Sequence, residues 1–198
     1  HRDLRVAIDS CIIEPTMNSD TIELVERVRR RLTEHENPVQ IGGPVTESQI
    51  TAAEEALGVT FPPSYRTFLR TFGGLAIPPH LGIVHDFMGV VTEPAHDVVQ
   101  RTLSARAERK LGEHLVVVGM GAQYQEWFCL DVSRENAAGE YPVVMYDAKD
   151  NALDQQFYED FGHMLNEAAT TEIYSLRHTL ALHVALPIWA RDPAFRAL

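Results

Sequence analysis

The chain is poor in lysine, with two against fifteen arginines. It is nearly as poor in cysteine: Cys11 and Cys129 form no CxxC and no metal-ligand spacing. Both sit among apolar neighbours, so neither a disulfide framework nor a zinc site is expected, and a reducing cytoplasm suits them. Long hydrophobic runs are absent. The longest, such as Leu115-Val116-Val117-Val118, fall far short of the ~20 residues that span a bilayer. The first twenty residues lack a basic start followed by an apolar stretch, so no signal peptide is expected. Positive charge is scarce overall: 17 Lys and Arg face 28 Asp and Glu, a formal net charge of −11. Such a surface repels nucleic-acid phosphates and anionic membranes, and neither is expected as a partner. It attracts basic proteins, and it also serves solubility.

Catalytic templates are missing as well. Neither lysine follows a Gly-rich turn, so there is no phosphate-binding loop of the P-loop type. His35-Glu36 continues as Asn37-Pro38-Val39 and forms no zinc-helix motif. Gly119-Met120-Gly121 follows an apolar run, but Tyr124 replaces the third glycine of a dinucleotide loop and a strand pattern comes next. Cys129 lies between Phe128 and Leu130, a core setting rather than a nucleophile's. The pairs His85-Asp86 and His96-Asp97 have no spacing that joins them on one metal, and no carboxylate pair is marked as acid and base. No cofactor, metal or catalytic residue is therefore expected.

Ordinary globular usage remains, with 45% hydrophobic and 23% charged residues. Residues 4–8 alternate like a short strand, and 21–34 carry Ile22, Val25, Val28 and Leu32 at helical spacing. Pro38, Gly42, Gly43 and Pro44 read as a linker. Thr46 and Gln49 have capping-box spacing, Ile50, Ala53 and Leu57 share one helical face, and Gly58 ends the helix. Pro63 suits the first turn of a second helix, which buries Tyr65, Phe68, Leu69 and Phe72 and stops at Gly73-Gly74. Strands are expected at 81–85, 87–91, 115–118, 127–132 and 143–146, with Gly119 to Ala122 as a loop and a turn at 136–140. A helix over 97–110 turns Val98, Val99, Leu103 and Ala107 inward, and Arg101, Arg106, Arg109 and Lys110 outward. Leu153, Phe157, Phe161, Leu165 and Ala168 fit one face of a closing helix. This order predicts an α+β fold with a mainly antiparallel sheet flanked by helices.

Residues 39–168 resemble the SUKH superfamily, the Smi/Knr-like domain of the fungal cell-wall assembly regulator and of many bacterial toxin-immunity proteins. The likeness rests on an ordered series: Thr46 to Ile50, Glu54, Leu57-Gly58, Phe61-Pro62, Tyr65, Phe68-Leu69 and Gly73-Gly74. It continues with Val118-Gly119, Trp127 to Asp131, Pro142 to Asp147, and Phe157, Phe161 and Leu165. It departs at Phe72, where many relatives carry Asn, and at Gln123 to Glu126. The resemblance implies a protein that works by binding, in bacteria usually an immunity protein neutralising a cognate toxin, often a nuclease, inside the producing cell. A regulatory or scaffold module of the same fold is the alternative, and a small enzyme built on Cys129 or His85 the third.

Residues 121–168 hold ten acids against two bases, so the basic partner is expected there. The candidate contact residues are Glu126, Asp131, Asp147, Asp150, Asp154, Glu159 and Asp160, with Tyr124 and Trp127 as aromatic anchors. Asp147, Asp150 and Asp154 are expected to be exposed together. The chain divides into a 1–38 extension, the 39–168 domain and a 169–198 tail. The run 177–188 resembles the translation of a common sequencing-library adaptor, so the tail from about Leu176 reads as foreign. A chain ending at Ala169 is therefore expected to keep an unchanged melting temperature. A tail that buried Leu180, Leu182 and Trp189 would instead leave the shortened chain less stable and prone to aggregate.

Overall fold

The computed structural model describes residues 42–77, 83–121 and 125–168, and ahead of them Glu23, Arg27 and Arg30. Tyr124, the strand read at 4–8 and the 169–198 tail lie outside the described residues. Glu23, Arg27 and Arg30 are helical, as the 21–34 pattern predicts, and Arg27 Nη1 donates to Asn166 Oδ1 at 2.5 Å.

Helix α1, Glu47–Leu57, opens on the expected box: Gln49 Oε1 accepts the Thr46 N–H at 3.0 Å. Gly58 closes it in the left-handed conformation, φ 68°. Helix α2, Pro63–Phe72, buries Tyr65, Phe68, Leu69 and Phe72 as the i, i+3, i+4, i+7 spacing requires. Arg66 ties the two helices, pairing with both Glu47 and Glu54, while Glu54 Oε1 also accepts the Phe61 N–H at 2.7 Å. Pro62 has no side chain that can cap α2. Glu140, 76 positions away, does so, accepting the Ser64 N–H at 2.8 Å and the Ser64 hydroxyl at 2.6 Å. Burial raises the Glu140 pKa, and nearby Asp160 adds to the rise against the lowering by the Ser64 bonds.

Six strands follow: β1 Leu75–Ala76, β2 Val84–Phe87, β3 Leu115–Gly121, β4 Glu126–Asp131, β5 Val143–Asp147 and β6 Ala152–Tyr158. They form one antiparallel sheet in chain order, each strand beside its predecessor. Helix α3, Val98–Arg109, crosses between β2 and β3 and packs on β3 and α1, and α4, Phe161–Ala168, packs on α2 and β6. The core centres on aromatic rings from three sources: Phe68 lies 5.2 Å from Phe161 and 6.0 Å from Phe87, ring centre to ring centre. The fold is the α+β arrangement expected.

Four local expectations are corrected. The closing helix starts at Phe161, and 152–158 is a strand. Residues four apart share a side in both a helix and a strand, so Leu153 and Phe157 fit either period. The hairpin turn at Asn151, φ 50°, decides for the strand. The strand expected at 87–91 ends at Phe87, where the chain bends so that Gly89 bridges to Asp97. Gly119 to Gly121 belong to β3 rather than a loop. In α3 the buried residues are Val98, Thr102 and Ala105, while Leu103 is exposed. Thr102 faces inward because its hydroxyl accepts the Val117 N–H at 3.1 Å, where the β3–β4 register slips.

Three chain segments meet where no side chain fits. A Cβ on Gly73 would stand 1.8 Å from the Gly43 carbonyl oxygen, and one on Gly89 would stand 1.7 Å from that of Gly73. Backbone bonds stitch the crossing: Gly43 N–H to Phe72 O at 2.9 Å, Val90 N–H to Gly73 O at 3.0 Å and Gly89 N–H to His96 O at 3.0 Å. In denaturant titration, Phe68→Ala is expected to lose about 3–5 kcal/mol. Gly89→Ala is expected to lose at least as much, because the new methyl meets backbone atoms of Gly73 and Gly74 rather than a side chain that can turn aside. A loss under about 1 kcal/mol in either would contradict this packing.

Candidate interaction face

The sheet register divides the predicted contact residues between two ends. Glu126 opens β4 and faces Asp147 of β5, which in turn faces Ala152 of β6. Asp150 lies in the turn between those two strands and Asp154 two residues into β6, so these four acids share one end. Asp131, Glu159 and Asp160 are at the other end, about 17 Å along the strands.

The acids differ in freedom as well as position. Glu126, Asp150 and Asp154 are exposed and make no ion pair among the described residues. Asp147 is half-buried, and its Oδ1 accepts the N–H groups of Lys149 at 2.8 Å and Asp150 at 3.1 Å. It shapes the turn that presents Asp150, so the expected trio is an exposed pair on an inward-turned support. Glu159 is exposed beside His163, at 3.6 Å. Asp160 caps α4 through the His163 N–H at 2.8 Å.

Two candidates are corrected to structural roles. Trp127 is buried, stacked on Tyr146 at 5.8 Å with the Arg101 guanidinium 4.9 Å above its ring. It holds the sheet to α3, so its ring is packed inside rather than displayed as the expected anchor. Asp131 is 5% exposed, and its carboxylate is taken by Ser133 Oγ at 2.5 Å and Arg134 Nε at 2.6 Å. A strand end that must turn buries its cap, which the exposed-acid reading of the sequence missed. Burial acts to raise the Asp131 pKa, but the Ser133 and Arg134 bonds outweigh it and hold the carboxyl below its ordinary range.

The histidine–aspartate pairs join crosswise. His96 Nε2 is 3.6 Å from Asp86 Oδ1, while Asp97 caps α3 by accepting the Gln100 N–H at 2.9 Å. His96 also lines a groove of about 810 Å³ on the β1 side, walled by Pro44, Val45, Leu75, Phe87 and Val91. Sequence spacing alone could not show this groove, since its walls come from chain segments up to fifty residues apart. Cys129 is fully buried, its thiol pushed up by that burial and directed at the Trp127 carbonyl at 3.9 Å. This removes the arrangement that a Cys129 nucleophile requires, an exposed thiol beside a histidine. Among the described residues no helix is long and apolar enough to cross a membrane.

A six-stranded meander backed by helices, with exposed acids gathered at one end, makes up a small α+β domain. The family model described as SMI1-KNR4 cell-wall matches residues 21–170, and the chain belongs to this SUKH family. A solved protein from Pseudomonas syringae pv. tomato has the same fold: TM-score 0.51 at 15% identity, over 72% of this chain and 92% of that one. No curated protein matches the sequence.

Asp131 yields a pH-dependent expectation. A carboxyl whose folded pKa lies below its unfolded one stabilises the fold above the ordinary aspartate range, and that contribution is lost as pH falls through the folded value. Asp131→Asn is therefore expected to be about 1–3 kcal/mol less stable at neutral pH, having lost charge-assisted bonds. Thermal melts of the two proteins should converge as the pH is lowered past 3.8, the ordinary value. A gap of constant size across that range would contradict it.

Proposed function

We propose that this chain is a non-enzymatic binding protein, a bacterial immunity protein that neutralises a cognate toxin by covering its basic site. Family membership supports a role in binding. The single observation that carries the rest is the acidic end of the sheet, where Glu126, Asp150 and Asp154 project without cationic partners among the described residues. Free surface charges repel one another and are retained at little benefit to folding. Opposite a nuclease site, which must be basic to hold phosphates, the same charges speed encounter and select the partner. Asp147 and its turn hold Asp150 forward, so the charge is presented without ordering a loop on binding. The cytoplasm of the producing cell is the compartment where such a protein acts.

The partner is sought in the product of a toxin gene beside this one. Reversal of both exposed acids, Asp150→Lys with Asp154→Lys, is expected to slow association about tenfold at low salt and flatten its salt dependence. The melting temperature should not move, since neither side chain has a partner among the described residues. Unchanged association rates at low salt would remove the acidic end from the reading. Stable binding to a host protein instead of the toxin would favour a regulatory or scaffold module.

A further inference from the structure

Eight Lys and Arg lie within 42–168. Four of them, Arg66, Arg70, Arg106 and Arg134, pair with carboxylates. Three of the other four, Arg101, Arg109 and Lys149, line one cavity of about 360 Å³ between α3 and the turn after β5. Ser104 and Gln125 add neutral donors to its wall, and Glu108 is the single carboxylate there. We propose that this cavity binds the phosphate group of a small molecule.

Arg101 carries the argument. Its guanidinium is held over Trp127, and Nη2 reaches the Met120 sulfur at 3.1 Å, a weak acceptor. Its Nε is buried with no hydrogen-bond partner. A fixed fork of five N–H donors thus meets one thioether and a ring face, with no carboxylate or carbonyl among the described residues. Buried donors in folded proteins are nearly always satisfied, so the unpartnered Nε leaves the Arg101 charge uncompensated, and an oxyanion on the cavity side of the guanidinium supplies the missing counter-charge. Burial makes the charge on Arg101 costly, Glu108 offsets part of this, and Arg109 adds repulsion. A bound anion relieves both burdens.

The C-terminal end of a helix prefers cations, which accounts for Arg109 in the last turn of α3. That preference does not reach Arg101, two turns earlier, or Lys149 on another element. Three cations against one carboxylate leave a surplus of two positive charges, matched by a phosphate dianion rather than by a single carboxylate. The surrounding net charge of −11 opposes the approach of long polyanions, so the ligand is small.

The test is calorimetric titration of inorganic phosphate into the full chain at neutral pH, with chloride holding the ionic strength constant and tryptophan fluorescence as second readout. One saturable site is expected. Arg101→Gln and Lys149→Gln should each weaken it about tenfold, the loss of one charge-assisted bond. Lys110→Asn, which removes the cation outside the cavity that has no ion pair among the described residues, should leave it within about twofold. Should Arg101→Gln fail to unfold cooperatively, Lys149→Gln and Arg109→Gln decide, because both side chains are exposed. Absence of saturation in the millimolar range, or unaltered affinity in Lys149→Gln, would overturn the site. Tighter binding of citrate than of phosphate would overturn the phosphate assignment. None of these outcomes depends on the toxin partner.

Discussion

The arrangement depends on a place where side chains are forbidden. At Gly73 and Gly89 the backbones approach so closely that the carbonyls of Gly43 and Gly73 occupy the space a Cβ would need. The end of α2 is thereby set against the bend after β2, and that bend in turn receives the start of α3 through the bond from Val98 N–H to Gly89 O at 2.8 Å. Helix pair, sheet and crossing helix all take their relative positions from this one crossing. The groove on the β1 side is its by-product, since backbone without side chains leaves room beside it.

The arginines explain how an acidic chain keeps its fold together. Arg66 joins two acids of α1 to α2. Arg106 donates to the carbonyls of Leu57 at 3.2 Å and Glu113 at 2.6 Å, closing the end of α1 against the approach to β3. A guanidinium can serve several fixed acceptors at once, which an ammonium on a flexible stem does less well. Positive charge is spent inside on such joints, and the acids are left to define the outside.

Helix boundaries were legible because caps are local: Thr46 with Gln49, Gly58 and Pro63 each act within a few residues. The aromatic stripe of α2 was legible because a spacing of i, i+3, i+4, i+7 fits no other element. Residues 153–157 were not, since their spacing satisfies both periods and the deciding turn is a left-handed Asn151. The acidic face was legible as composition but not as geometry. Which acids are free depends on strand register and on caps such as Asp131 and Asp160, and no single segment carries that information. The cation cavity was hidden for the same reason, although Arg101, Ala105 and Arg109 at intervals of four mark one face of α3.

The remote cap on α2 bears on the order of assembly. Each strand of the meander pairs with its predecessor, so the sheet grows through successive short closures with modest entropy loss. Glu140 reaches Ser64 only after the chain has passed through β4 and returned toward β5. Until then the first turn of α2 holds unpaired N–H groups that Pro62 cannot satisfy. The helix that supplies the aromatic core therefore completes its own beginning only once the loop before β5 is in place, and that loop latches the first turn of α2 to the sheet.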